Sequence, residues 1–217
     1  MSLTIAFDLD GTLIDSVPQI ADCVNTALAT RGAGPLTQRT VQGFVGKGLP
    51  ALVRQVAREL RLPEADTDPL HDEILALYTR VETPASALYP GVRAALAVLR
   101  DEGHSLAICT NKPHAATLKC LADTGLTLLF DRVIGGDSLP TRKPDPAMLH
   151  AALDGAGTAL YVGDSETDAE TAEAAGIPFL LFTEGYRKSA VEDLSHTASF
   201  SSFADLPNLI ATRSSSL

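Results

Sequence analysis

The spacing of apolar residues divides the chain into two unlike parts. Leu3 to Phe7 is a short apolar run that stops at Asp8, which predicts a buried strand leading into a tight loop at Gly11. From about residue 15 to residue 85 the apolar residues recur at helical spacing. From Pro90 onward, short apolar runs alternate with amphipathic stretches, so strands and helices are expected in turn.

The first part is predicted to contain only helices. Ser16 and Gln19 have the spacing of a capping box, and a helix is expected to follow them and to stop near Arg31. Two further amphipathic helices are predicted over residues 49–60 and about 69–81.

The second part is predicted to form a parallel sheet. Strands are expected over 105–109, 132–134, 159–162 and 179–182, with helices over 92–99 and 114–122, after Asp145, and up to Ala175. Asp145 has the position of an N-cap and Pro146 that of a first helical residue. Alternating strands and helices give a parallel sheet with right-handed crossovers. The predicted fold class is therefore α/β, a doubly wound, Rossmann-like parallel sheet with an α-helical cap inserted after the first strand. The Ser-rich tail after Arg213 is expected to fray.

Composition and charge argue against several classes of partner. Hydrophobic residues make up 45% of the 217 residues and the formal net charge is −10. Such an acidic protein repels nucleic acid and anionic membrane surfaces, so neither is expected as a partner. No run approaches the roughly 20 apolar residues that span a bilayer, and no basic leader of a secretion signal is visible. The three cysteines lack metal-binding spacing, which suits a reducing compartment, so we expect a cytoplasmic protein with buried thiols.

Polar side chains follow the predicted strands at their carboxyl ends, where open α/β sheets bind ligands. These residues are Asp8 and Asp10 after the first strand, Thr110 and Asn111 after the second, Lys143 beyond the third, Asp164 after the fourth and Asp168 one helical turn later. At about 4 Å and an effective dielectric constant near 20, each pair of carboxylates costs roughly 4 kcal/mol. We therefore expect a cation among them. Oxygen ligands without His or Cys favour Mg²⁺ over zinc, and Lys143 supplies a second positive charge.

This set fits phosphoryl transfer. One carboxylate attacks phosphorus and forms an acyl phosphate, while a second protonates the leaving oxygen and later deprotonates water. In Asp8-Leu9-Asp10 both carboxylates would face the cleft while Leu9 points away. Gly11 permits a tight turn that exposes backbone N–H groups to phosphate, and the Thr110 hydroxyl offers another hydrogen bond.

Each of these residues alone also has a structural interpretation. Two aspartates with this spacing are common in loops, and a single lysine such as Lys143 is usually a solvated surface residue. Ser165 is a plausible N-cap of a helix that carries Asp168, which is compatible with a site. The arrangement of the whole set at the strand ends, and no single residue, points to chemistry.

Four motifs carry a resemblance to a known family. They are FDLDGTLIDS, CTNKP, RKPDP and YVGDSETDAETAEAAG, in this order over essentially the whole chain. The set resembles the haloacid dehalogenase-like superfamily and, within it, the phosphoglycolate phosphatase group, which carries a small helical cap after the first strand. The resemblance implies a core domain of residues 1–14 and 86–217 and a helical cap domain of residues 15–85.

The resemblance also implies a role for each residue of the set. The implied roles are nucleophile and metal ligand for Asp8, general acid/base and metal ligand through its carbonyl for Asp10, metal ligand for Asp164, phosphate binding for Thr110, Asn111 and Lys143, and support for Gly11 and Asp168. Residues 44–52 resemble the cap loop that closes over substrate, and Lys47 and Arg54 are the nearest cations.

The implied function is Mg²⁺-dependent hydrolysis of a small phosphomonoester, with 2-phosphoglycolate as the first candidate. Sugar phosphates, nucleotides and pyrophosphate are alternatives, as is a phosphosugar mutase, which shares all four motifs. Asp10 argues against dehalogenases and phosphonate-cleaving relatives, which have no acid at that position. The intact acidic set disfavours a catalytically inactive binding module. The sequence does not define the oligomeric state.

Overall fold

The computed structural model describes residues 2–213, and a parallel β-sheet lies at their centre. The strands are β1 (Thr4–Phe7), β2 (Ser105–Cys109), β3 (Arg132–Ile134), β4 (Ala159–Gly163), β5 (Phe179–Phe182) and β6 (Ala198–Phe200). The helices are α1 (Val17–Ala29), α2 (Gln38–Gln42), α3 (Leu49–Glu59), α4 (Thr67–Tyr78), α5 (Val92–Asp101), α6 (His114–Asp123), α7 (Ala147–Leu153), α8 (Glu166–Ala175) and α9 (Leu206–Arg213). The Ser-rich tail that we expected to fray lies outside the described residues.

The sheet order confirms the predicted fold class. The strands lie in the order β3-β2-β1-β4-β5-β6, and every neighbouring pair is parallel. Along the chain, β2 and β3 are therefore added on one side of β1, and β4, β5 and β6 are then added on its other side. The strand order reverses between β1 and β4, and ligands bind at such a switch point in open α/β sheets.

One layer of helices covers each face of the sheet, and alternating side chains of the strands pack against the two layers. Ile5 and Phe7 pack in a cluster that includes residues of α5, α6 and α9. Ala6, which lies between them, points to the opposite face and packs with residues of α7 and α8. This period of two follows from the pleat of a strand, and it explains why these buried strands are apolar throughout.

Helices α1 to α4 form an insertion between β1 and α5, which we call the helical insertion (residues 15–85). They share a separate apolar cluster, which also includes Ala116 of α6. The two segments that connect the insertion to the sheet run side by side. Asp15 N donates to Ala87 O at 2.8 Å, and Tyr89 N donates to Leu13 O at 3.0 Å. The division of the chain into separate core and cap domains stays a prediction.

Helix α1 begins after Ser16, as predicted, but without the predicted capping contacts, and the predicted start of α7 was wrong by one residue. The Ser16 side chain makes no capping bond; the N–H groups of Ser16 and Val17 donate instead to the Tyr186 hydroxyl, at 2.7 and 3.2 Å. A phenol from a distant loop thus replaces the expected capping box. Helix α7 begins at Ala147 rather than Pro146, although Asp145 Oδ1 still accepts a bond from Ala147 N at 2.9 Å.

Some elements were missed or shifted. Helix α4 begins and ends earlier than the predicted 69–81, and α2 and β6 were not predicted. Strand β6 has only three residues, and Phe200 is its one buried side chain, so it lacks the apolar run that marked the other strands. Pairing with β5 and packing against Phe182 and Phe203 define it.

None of the helices in residues 2–213 is long and apolar enough to cross a membrane. Cys23, Cys109 and Cys120 are free and buried, which confirms the burial expected of Cys23 and Cys109.

Candidate active site

The topological switch point brings the predicted acidic residues together. Asp8 follows β1 and Asp164 follows β4, and Asp8 N donates to Val162 O at 2.9 Å across the two strands. Thr110 follows β2, on the other side of β1. Leu9 is fully buried in the core, so Asp8 and Asp10 are left to border the same cleft, as predicted.

Lys143 forms the centre of a buried network beneath Asp8. Its ammonium lies 2.9 Å from Asp8 Oδ1 and 2.7 Å from Asp168 Oδ1. It also donates to the Tyr161 hydroxyl at 2.9 Å. All four side chains are at least nine-tenths buried. A buried ammonium is stabilised by nearby carboxylates, so Lys143, Asp8 and Asp168 hold one another in place.

Asp168 is fully engaged by the protein. It accepts five hydrogen bonds, from Lys143, Tyr161, the backbone of Asp164 and both the backbone and the hydroxyl of Ser165. A carboxylate offers about four lone-pair sites, so little capacity is left for another ligand. Ser165 is the N-cap of α8, as the sequence indicated, and the same bonds orient Lys143.

Asp164 is held by two donors and by two glycines. Its Oδ1 accepts from the Thr12 hydroxyl at 2.7 Å, and its Oδ2 accepts from Tyr186 N at 2.6 Å. A Cβ at Gly11 would lie 2.5 Å from Asp164 Oδ2, and one at Gly185 would lie 2.3 Å from it. Gly11 also has φ +91°, a left-handed conformation that glycine adopts without strain.

Asp10 contacts a different cation from Asp8. Lys112 Nζ lies 3.1 Å from Asp10 Oδ1 and also bonds the Tyr78 hydroxyl, which lies 3.5 Å from Asp10 Oδ2. Lys112 stands within the CTNKP motif, and Tyr78 is the last residue of α4. The two aspartates of the first motif therefore have separate lysine partners.

Thr110 and Asn111 are both buried beside this cluster. The Thr110 hydroxyl accepts from Lys112 N at 3.2 Å. The Asn111 amide accepts from Lys143 N at 3.0 Å and donates to Lys143 O at 3.1 Å and to Gly46 O at 3.0 Å. In this arrangement the Asn111 side chain fixes the backbone of Lys143 and a loop of the helical insertion.

Burial opposes ionisation of the acids. Burial, with smaller effects of Asp168 and Asp10, raises the pKa of Asp8 to about 7, although Lys143 acts against this. Burial and the charges of Asp168 and Asp8 raise the pKa of Asp164 well above its ordinary value. For Asp168, burial is outweighed by Lys143 and by hydrogen bonds, and its pKa is lowered. For Lys143, the attraction of Asp168 and Asp8 outweighs burial and raises its pKa.

Two cavities meet at Asp8 and Asp10. The inner one has mainly apolar walls from α1, α3 and α4. The outer one is larger and opens between the helical insertion and α8. Its walls include four cations and two glutamates: Lys47, Arg54, Arg58, Lys188, Glu166 and Glu170. The two cap cations proposed from the sequence therefore line the same cleft as the acids, at its exposed end.

A family model described as haloacid dehalogenase-like hydrolase matches residues 5–182. The chain belongs to this family. The match spans all four motifs and confirms the resemblance drawn from them.

Similar proteins narrow the class of reaction. A phosphoglycolate phosphatase of Cereibacter sphaeroides is 47% identical over 210 residues, which cover 95% of this chain and 96% of the relative. A phosphoglycolate phosphatase of Rhodobacter capsulatus is 47% identical over 215 residues, which cover 97% of each. A crystal structure of a predicted phosphoglycolate phosphatase from Haemophilus somnus has a TM-score of 0.87 at 28% identity and covers 96% of this chain and 97% of that one. The chain is a phosphoric monoester hydrolase that acts on small phosphate esters.

Phosphatases of this family generally use Mg²⁺, and the acidic cluster fits such an ion. Oxygen atoms of Asp8, Asp164 and Asp168 lie within 4.8 Å of one another. Asp8 Oδ1 is buried, and the Lys143 ammonium at 2.9 Å is its polar partner within residues 2–213. A buried carboxylate among other carboxylates is a suitable ligand for a hard divalent cation. Because Asp168 is saturated, Asp8 and Asp164 are the carboxylates with capacity for it.

Sequence reasoning missed five residues that build this site: Thr12, Tyr78, Lys112, Tyr161 and Tyr186. Thr12, Lys112 and Tyr161 stand inside quoted motifs, so a signal was present for them. Tyr78 lies at the end of α4 and Tyr186 in the loop after β5, outside the four motifs. No pattern in the sequence predicts which groups their hydroxyls contact.

The raised pKa of Asp8 makes a prediction for the metal-free protein. The folded state binds a proton on Asp8 up to about pH 7 and the unfolded state only up to about pH 4, so stability falls as pH rises through this window. Relative to Asp8→Asn, wild type in chelator is expected to lose about 1 kcal/mol of unfolding free energy per pH unit there. Urea unfolding at several pH values measures this. Parallel pH dependences for the two proteins would contradict the assignment.

Proposed function

We propose that this enzyme hydrolyses 2-phosphoglycolate with Mg²⁺ through an aspartyl-phosphate on Asp8. The observation that carries the proposal is the buried carboxylate of Asp8, whose Oδ1 lies 2.9 Å from the Lys143 ammonium at the switch point of the sheet. The substrate follows from relatives named phosphoglycolate phosphatase that match this chain over nearly its full length and theirs.

In the first step a carboxylate oxygen of Asp8 attacks phosphorus. A bond forms between Asp8 and the phosphoryl group while the bond from phosphorus to the ester oxygen breaks. The Lys143 ammonium lies beside the nucleophile and offsets charge on the transferred group. Asp168 and Tyr161 keep the ammonium in that position, and the Thr110 hydroxyl is available at the end of β2 for a phosphate oxygen.

Asp10 moves the protons. Its carboxyl group gives a proton to the leaving oxygen as the ester breaks, and the product alcohol is released. The resulting carboxylate then takes a proton from a water molecule that attacks the phosphoryl group on Asp8. Inorganic phosphate leaves, and both aspartates return to their starting states.

The metal would be held by Asp8, Asp164 and the backbone carbonyl of Asp10. When bound, Mg²⁺ supplies positive charge to phosphate oxygens and lowers the repulsion among the carboxylates. Thr12 and Tyr186 hold Asp164 in place, and Gly11 and Gly185 leave it the necessary space.

The experiment measures phosphate release from a panel of phosphomonoesters, with Mg²⁺ and with chelator. The panel contains 2-phosphoglycolate, sugar phosphates, nucleotides and pyrophosphate, and sugar products are checked for isomerisation. We expect 2-phosphoglycolate to have the highest kcat/KM and Mg²⁺ to be required. Asp8→Asn should abolish turnover, and Asp10→Asn should lower kcat about 10²- to 10⁴-fold.

Different failures would overturn different parts of this proposal. A higher kcat/KM with another ester would replace the substrate and leave the chemistry intact. An isomerised sugar phosphate without free phosphate would indicate a mutase. Full activity in Asp8→Asn would remove the nucleophile from the mechanism.

Lys47 and Arg54 are proposed to attract the doubly anionic substrate into the outer cleft. Both are exposed at its rim, so they contribute to binding but lie outside the buried network around Asp8. Lys47→Ala and Arg54→Ala should each raise KM about 3- to 10-fold with less than about a 2-fold change in kcat. The effect should shrink at high salt. Arg80→Ala, which does not line this cleft, is the matched control. A fall in kcat with unchanged KM would contradict this role.

A further inference from the structure

Lys112 is a buried lysine whose function neither the resemblance nor the family assignment supplied. Its side chain is 2% exposed, and Asp10 is its one carboxylate partner within residues 2–213. The backbone of Lys112 is fixed as well, because its N–H donates to the Thr110 hydroxyl and its carbonyl accepts from Gly136 N at 2.8 Å. A buried ammonium needs a nearby anion, so Lys112 and Asp10 determine each other's position.

Tyr78 completes the contact from the other side of the cleft. Its hydroxyl bonds Lys112 and faces Asp10 Oδ2 at 3.5 Å, while Lys112 faces Oδ1 at 3.1 Å. The two oxygens of Asp10 thus have separate partners, which fixes the rotation of the carboxyl group. Because Tyr78 belongs to α4 and Lys112 follows β2, this arrangement is complete only when the end of α4 stays beside the loop that follows β2.

We propose that Lys112 and Tyr78 are positioning residues that hold Asp10 for proton transfer to the leaving group. The inference rests on the proposed role of Asp10. Lys143 serves Asp8, where the phosphoryl group is transferred, and Lys112 serves Asp10, where the proton is transferred. When the ester bond breaks, the Asp10 proton passes to the leaving oxygen, and the carboxylate that remains faces the Lys112 ammonium. The precision of proton transfer depends on this geometry.

The test uses the leaving group of the substrate. An alkyl phosphate needs a proton on its leaving oxygen, whereas p-nitrophenyl phosphate releases a stable nitrophenolate without one. Lys112→Met removes the ammonium with little change in side-chain length, and Tyr78→Phe removes only a hydroxyl. The measured quantity is kcat/KM for each ester, which excludes the later attack of water on the phosphoenzyme.

Lys112→Met should lower kcat/KM about 10²-fold with the best alkyl substrate of the panel, and less than about 3-fold with p-nitrophenyl phosphate. Tyr78→Phe should show the same preference at about 3- to 10-fold. Asp10→Asn is the reference for a lost proton donor. Lys119→Met is the matched control, since this lysine pairs with Asp123 at 2.7 Å on α6, and neither ester should be affected.

Equal losses with both esters would overturn the inference, because a general structural defect does not discriminate between leaving groups. If Asp10→Asn itself shows no preference, the proposed role of Asp10 fails and the inference fails with it. If Asp10→Asn shows the preference and the other two variants do not, only the positioning role is wrong. Should Lys112→Met not fold, Tyr78→Phe alone decides the question.

Discussion

Repulsion among buried carboxylates is the constraint on which this site depends. Asp8, Asp164 and Asp168 place oxygen atoms within 4.8 Å of one another at the ends of two adjacent strands. Burial and their mutual charges raise the pKa values of Asp8 and Asp164, so the acids alone resist full ionisation. The positive charge of the Lys143 ammonium, which contacts Asp8 and Asp168, offsets part of this repulsion. A divalent cation on the open side would offset the rest, so the proposed nucleophile and the proposed metal site are parts of one electrostatic arrangement.

Two residues, Tyr186 and Asn111, connect the acidic cluster with the helical insertion. Tyr186 donates its backbone N–H to Asp164, while its hydroxyl accepts from Ser16 N and Val17 N at the start of α1 and donates to Asp15 at 2.7 Å. Asp164 and the start of the helical insertion are thereby joined by a single residue. Asn111 makes a second link, from the Lys143 backbone to Gly46 of the insertion. The position of the insertion and the geometry of the acids therefore depend on each other.

The sequence predicted what local pattern and sheet topology determine. Asp8, Asp10 and Asp164 were found because polar residues that follow apolar strands meet at one edge of a parallel sheet, and Lys143 because it lies in the connection beyond β3 at the same edge. The partners of these residues were not found. Lys112 reaches a tyrosine 34 positions away and Tyr186 bonds backbone 170 positions away, and no periodicity encodes such contacts. Strand β6 was missed for a similar reason, because pairing and aromatic packing define it rather than its own composition.

The most direct test of the account is to identify the residue that carries phosphate during turnover. Enzyme mixed with substrate and Mg²⁺ is quenched in acid within milliseconds, digested and analysed by mass spectrometry. The account predicts one phosphoryl group on the peptide that contains Asp8, located on Asp8 by fragmentation and lost on treatment with hydroxylamine. Phosphate on another residue, or rapid turnover with an unmodified Asp8 at every quench time, would contradict it.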